Sequence, residues 1–160
     1  IVPYKCIMSN SNLSKWTVEL IAALLILLFV YTASSKLLDF GNFKALLRQS
    51  PIIKNEAMLA SWVLPLIEIA VSIFLFIPHT RKIGFRLSFI LLSLFTTYVF
   101  YMIMFVPKLP CSCGGVISSF TWKQHAYFNL SITLLAGIGL WLYNRNKLFI
   151  AINRASRTPV

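Results

Sequence analysis

Apolar residues along this chain gather into four long runs, not into the alternating or 3.6-residue patterns of a water-soluble domain. A helix needs roughly 20 apolar residues to cross a bilayer core. The windows Trp16 to Ser35, Ala57 to Ile77, Leu87 to Val106 and Ala126 to Tyr143 meet or approach that length. They predict an all-α membrane protein built as a four-transmembrane-helix bundle. Residues 1–15 are then an N-terminal segment, 16–143 a single transmembrane domain and 144–160 a basic tail. The first run is long and has no small-residue cleavage pattern after it, so it is expected to remain as a span.

The segments between the runs carry signals of their own. In the first, Phe40, Phe43, Leu46 and Leu47 recur at helical spacing while Lys44, Arg48 and Gln49 face away. That pattern predicts a short interfacial amphipathic helix between spans 1 and 2, with Asp39 as its N-cap and Ser50-Pro51 as its stop. Pro78 to Gly84 reads as a tight basic turn. Pro107 to Trp122 carries two cysteines.

Composition fixes the solvent. The chain is 58% hydrophobic, with a mean hydropathy of +0.78, so lipid replaces water over most of its surface. Four acids (Glu19, Asp39, Glu56, Glu68) stand against 15 Lys and Arg, a net charge of +11. The cations sit at the edges of the apolar runs, where they meet lipid headgroups and orient the helices, which argues against nucleic acid as a partner. With four spans both termini share one side. That side holds nine basic residues (Lys5, Lys15, Arg81, Lys82, Arg86, Arg145, Lys147, Arg154, Arg157), and the other holds six (Lys36, Lys44, Arg48, Lys54, Lys108, Lys123). The positive-inside rule then predicts cytoplasmic termini and outward-facing first and third loops. Trp16, Trp122, Trp141 and Tyr143 fall near span ends, as interfacial aromatics do.

The most reactive feature is Pro110-Cys111-Ser112-Cys113-Gly114-Gly115 in the third loop. Two cysteines one residue apart, followed by glycines, can close a small strained ring, and strain eases reduction. A disulfide across so short a loop does little as a staple. Lys108, Lys123 and His125 are near in sequence and favour a thiolate, which marks them as redox-tuning residues. Three chemistries fit the pair: thiol–disulfide exchange, a structural disulfide or idle thiols, and soft-metal binding with His125 as a nitrogen donor. Cys6, ahead of the first span, reads as a free cytoplasmic thiol.

Inside the spans, Glu68 needs a partner or a cavity, and Lys36 at the outer end of span 1 is the best candidate. Its alternatives are a protonated carboxyl bonded between helices, proton transfer, or contact with a polar ligand headgroup. Pro65, three residues earlier, removes a backbone donor beside it. His125 and Asn129 are four residues apart and share one helix face, where thiols, a quinone carbonyl or a neighbouring helix can meet them. Ser34, Ser35, Tyr98 and Tyr101 are candidates for bonds between helices, Gly137 and Gly139 for close packing, and His79 for a solvated surface.

The ordered set Tyr31-Thr32-Ala33-Ser34-Ser35-Lys36-Leu37-Leu38-Asp39-Phe40, Pro65-Leu66-Ile67-Glu68, Pro110-Cys111-Ser112-Cys113-Gly114-Gly115, His125 and Asn129 resembles the MauE branch of the DoxX-like membrane proteins, from about Leu13 to Tyr143. The resemblance implies a bacterial inner-membrane four-helix bundle associated with periplasmic thiol and disulfide chemistry. It also implies a thioredoxin-like protein or disulfide-containing client as partner, and a quinone as candidate cofactor. In position, Cys111 and Cys113 match the family's Cys-x-Cys, and Glu68 and Lys36 its polar sites in or beside the spans. Gly115 stands where an aromatic residue is common, and the chain lacks the second outward cysteine pair of quinone-coupled disulfide generators. The leading expectation is therefore an inner-membrane thiol–disulfide redox component with Cys111 and Cys113 as its catalytic pair. Glu68, Lys36 and Asn129 would form an intramembrane polar site. The alternatives are a non-catalytic scaffold or accessory subunit of a larger membrane complex, and a soft-metal binding or transfer protein.

Overall fold

Each of the four apolar runs is matched by a helix in the computed structural model, which describes residues 4–50, 52–105 and 121–155, with side chains described over 14–50, 52–105 and 121–145; Val106, the end of the third run, lies outside the described residues. The elements are α1 (Tyr4–Leu38), α2 (Phe40–Gln49), a 3₁₀ turn (Lys54–Glu56), α3 (Ala57–Phe76), α4 (Arg81–Phe105) and α5 (Trp122–Ala155). Among the described residues, four stretches are long and apolar enough to cross a membrane: Ser14–Leu38, Lys54–Phe76, Arg81–Phe105 and Trp122–Arg145. At 1.5 Å per residue the shortest, of 23 residues, covers about 35 Å, enough for a bilayer core with some tilt. The chain is thus an all-α bundle of four membrane spans with an extra short helix between the first two.

α1, α4 and α5 start before their apolar runs, whereas α3 ends at Phe76, one residue short of its run. α4 starts at Arg81, inside the segment read as a turn, and the loop shrinks to the residues between Phe76 and Arg81. Thr80 opens the new helix: its carbonyl accepts from the N–H groups of Ile83 (2.8 Å) and Gly84 (3.0 Å), and its hydroxyl donates to Phe74 O (3.1 Å). Lys82 and Arg86 interrupt hydropathy without interrupting backbone hydrogen bonding. For the same reason α5 runs past Tyr143 into the basic tail.

The spans form a ring in which α1 packs on α3, α3 on α4, α4 on α5 and α5 on α1. On α1, Val18, Ile21, Ala22, Leu25 and Phe29 follow one another at three- and four-residue steps and face Val71, Leu75, Phe85, Leu92 and Ala136. Lipid is as apolar as these side chains, so close packing, not escape from water, holds the helices together. Gly84 shows how close. A Cβ there would lie 2.7 Å from Leu75 N and 2.8 Å from Phe74 C, both backbone atoms. Gly139 meets Phe85 and Ile21 in the same way, at 2.6 and 2.9 Å. Between α4 and α5, the hydroxyls of Thr96 and Thr133 lie 3.0 Å apart, and each is 2.7 Å from the carbonyl one turn back on its own helix. At one end of the ring, Arg81 pairs with Glu19 and also donates to Leu75 O (3.0 Å), tying α1 to the turn that joins α3 and α4.

α2 packs against α3 and the 3₁₀ turn, burying Phe43 and Leu47 on Ala57, while Arg48 and Gln49 remain exposed. Phe40 reaches the Trp62 ring, 4.9 Å between centroids. Asp39 holds the N-cap position, but its carboxylate accepts from the Asn42 side chain (2.9 and 3.1 Å) instead of a backbone N–H. The helix ends at Gln49, and Ser50 is extended, as a residue before proline prefers to be.

Candidate functional site

At the end of the ring where α1 and α4 finish and α3 and α5 begin, a cavity of about 310 Å³ lies among all five helices. Its walls are largely apolar, and six of the lining side chains are aromatic: Phe29, Phe43, Phe95, Tyr98, Trp122 and Phe128. α2 closes this end with Phe43, Leu46 and Leu47, so the short helix is part of the site as well as an interfacial element.

Polar groups are few and close together. Lys36, near the end of α1, forms an ion pair with Glu68 on α3, and the two residues are only 8% and 2% exposed. The pairing follows from the cost of burying either charge alone in so apolar a setting. The Lys36 ammonium also lies 5.2 Å from the Phe95 ring centroid and 5.8 Å from that of Phe43, within cation–π range. Rings from α2 and α4 and a carboxylate from α3 thus converge on one cation from α1.

Lys36 pairs with only one of the two carboxylate oxygens. Oε1 of Glu68 takes the Lys36 ammonium, whereas Oε2 is buried with no hydrogen-bond partner among the described residues. Beside it, the buried Thr32 hydroxyl donates to Phe29 O (3.1 Å) and is near enough to turn to the Glu68 carboxylate, and Ser72 donates to the Glu68 carbonyl (2.9 Å). A buried carboxylate oxygen without a fixed donor is unusual in a folded protein.

Of the residues singled out from sequence, Lys36, Glu68, His125 and Asn129 line this one cavity. The i, i+4 spacing of His125 and Asn129 puts both half-buried side chains on its wall. Lys123 is exposed and does not line it. Cys111, Cys113 and Lys108 lie outside the described residues, as does the side chain of Cys6. Pro65 is buried, His79 and Ser34 are exposed, Tyr98 lines the cavity, and Tyr101 stacks on Phe105 (5.1 Å). Among the described residues no three His, Cys, Asp or Glu side chains come together as metal ligands would.

From sequence alone Thr32 has no separate role, and Phe43, Tyr98 and Trp122 have other roles than a shared wall with Phe29, Phe95 and Phe128. Thr32 precedes Lys36 by one helical turn, which was a usable signal. Phe95 carries none, because an aromatic in a span most often packs or faces lipid, and Trp122 carries only the signal of an interfacial aromatic.

The family described as methylamine utilisation protein MauE matches residues 14–142, most of the chain. No curated protein and no solved structure matches.

Proposed function

The chain belongs to the MauE family of membrane proteins, and on that basis we propose that it is an inner-membrane component of thiol–disulfide exchange. Cys111 and Cys113 are its reactive pair, a periplasmic thioredoxin-like protein or disulfide-containing client is its partner, and a quinone is the candidate membrane-side acceptor. The observation that carries the reading is the cavity with its Lys36–Glu68 pair, set at the end of the bundle where α4 and α5 are joined by the segment holding both cysteines. A thiol pair and an intramembrane polar site on one side of a membrane suit a protein that moves reducing equivalents between a soluble partner and lipid.

The exchange balances simply. The two thiols form one S–S bond and release two electrons and two protons, and the partner's disulfide takes up both and opens to two thiols; the reverse transfer uses the same atoms. With quinone as acceptor, the same two electrons and two protons yield a hydroquinone. The cavity fits such a ring: it is apolar, aromatic-walled and polar at Lys36, Glu68, His125 and Asn129. Lys108, Lys123 and His125 favour the attacking thiolate. Positive-inside topology supports cytoplasmic termini and a periplasmic Cys-x-Cys loop.

The test is replacement of Cys111 and Cys113 by Ser together. The variant is expected to insert and fold like the wild type while thiol exchange with a thioredoxin-like client disappears. Unchanged client oxidation would reject the exchange reading in favour of a non-catalytic accessory subunit.

A further inference from the structure

We infer that the cavity is selective for a neutral aromatic molecule bearing a hydroxyl group, whose O–H donates to the open oxygen of Glu68. Four features of the site lead there.

The open group is an acceptor, so its ligand must be a donor. Glu68 Oε2 is buried in a residue only 2% exposed, and its sister oxygen is held by Lys36. The ion pair carries no net charge. A charged guest would therefore enter an apolar cavity without a free counter-ion, and an anion would also face the carboxylate. The ammonium, in turn, has three N–H donors, of which Glu68 takes one. A hydroxyl answers both halves of the pair, donating to Oε2 and accepting from Nζ through its lone pairs. The body of the guest is set by the walls: six aromatic side chains around about 310 Å³ favour a flat ring by stacking and edge contacts, at the small end of ligand-pocket size.

This rests on reading the cavity as a ligand site, and it adds a choice of form. A quinone offers only acceptors and leaves Oε2 open, whereas its hydroquinone carries the required O–H. The cavity therefore prefers the reduced form. It does so independently of the cysteines.

The experiment uses the full chain in lipid nanodiscs and isothermal titration calorimetry, with protein-free nanodiscs subtracted to remove partitioning into lipid. The probes are 2-naphthol and 2-methoxynaphthalene, which keeps the ring and the oxygen but has no donor. A charge-assisted hydrogen bond to an otherwise open acceptor predicts binding about ten- to a hundredfold tighter for 2-naphthol. 1-Octanol, a hydroxyl without a ring, is expected to bind more weakly than 2-naphthol. Replacing Lys36 and Glu68 together by Met should abolish the preference between the two naphthalenes, and Cys111→Ser with Cys113→Ser should leave it intact, so failure of the thiol chemistry and failure of the site are read separately. Equal affinity of the wild type for 2-naphthol and 2-methoxynaphthalene would overturn the inference, leaving Oε2 to water or to the Thr32 hydroxyl. Octanol binding as tight as naphthol would overturn its aromatic part. A preference that survives the double Met variant would place the binding elsewhere.

Discussion

Breaking the Lys36–Glu68 pair from one side should harm the bundle far more than removing both charges. Lys36 is 8% exposed and Glu68 2%, and one carboxylate oxygen has no partner even with Lys36 present. In Lys36→Met the carboxylate loses its cation and the hydrogen bond that cation donates, and a lone buried charge of this kind costs about 3–5 kcal/mol. The Met side chain still lies among Phe43, Phe95 and Leu47, so little of the loss is packing. In Lys36→Met with Glu68→Met both desolvation costs vanish, and the pair's own attraction roughly offsets them, so the double variant should lie within about 1 kcal/mol of wild type. The two single effects then fail to add, with a coupling of at least about 2 kcal/mol. Reversible unfolding of the four chains in mixed micelles, followed by circular dichroism, measures all four corners of the cycle. A single variant that costs less than about 1 kcal/mol, or a double variant equal to the sum of the singles, would refute the description of this pair as mutually compensating buried charges.

Other consequences are equally direct. Gly84→Ala puts a Cβ against the Leu75 and Phe74 backbone and should cost at least about 2 kcal/mol, whereas Gly41→Ala, with nothing within 4 Å, should be neutral or slightly stabilising; the same unfolding assay compares them. Thr96→Val with Thr133→Val removes one hydroxyl contact between α4 and α5 and should cost only about 0.6 kcal/mol beyond packing changes, read in a double-mutant cycle. Arg81→Met loses its bond to Leu75 O as well as its contact with a Glu19 side chain that is 56% exposed. Its destabilisation should therefore persist at high salt, where an exposed ion pair alone would be screened, and this is checked by unfolding at two salt concentrations.

Much of this architecture was legible in the sequence for identifiable reasons. The four spans were readable because length and apolarity are what a bilayer demands of a helix. Glu68 and Lys36 were readable as a pair because each is intolerable there alone, and His125 with Asn129 because four residues are about one helical turn. The limits were equally physical. Hydropathy marks where lipid ends, not where hydrogen bonding ends, so Gly84 falls in a segment that reads as a turn although it sits directly against the α3 backbone. Thr96 and Thr133 look like any other hydroxyls in a span, and only the ring order brings them together. That order also creates the cavity, since Phe95, Trp122 and Phe43 become one wall only when α4, α5 and α2 are adjacent.

Whether Cys111 and Cys113 cycle between dithiol and disulfide is decided by their redox state in native membranes. Thiols are trapped with a mass-shifting alkylating reagent across a graded thiol buffer. A reversible two-electron transition is expected within the range of known exchange proteins, about −120 to −270 mV. A pair that stays oxidised throughout, or stays reduced and unreactive, would contradict the exchange reading.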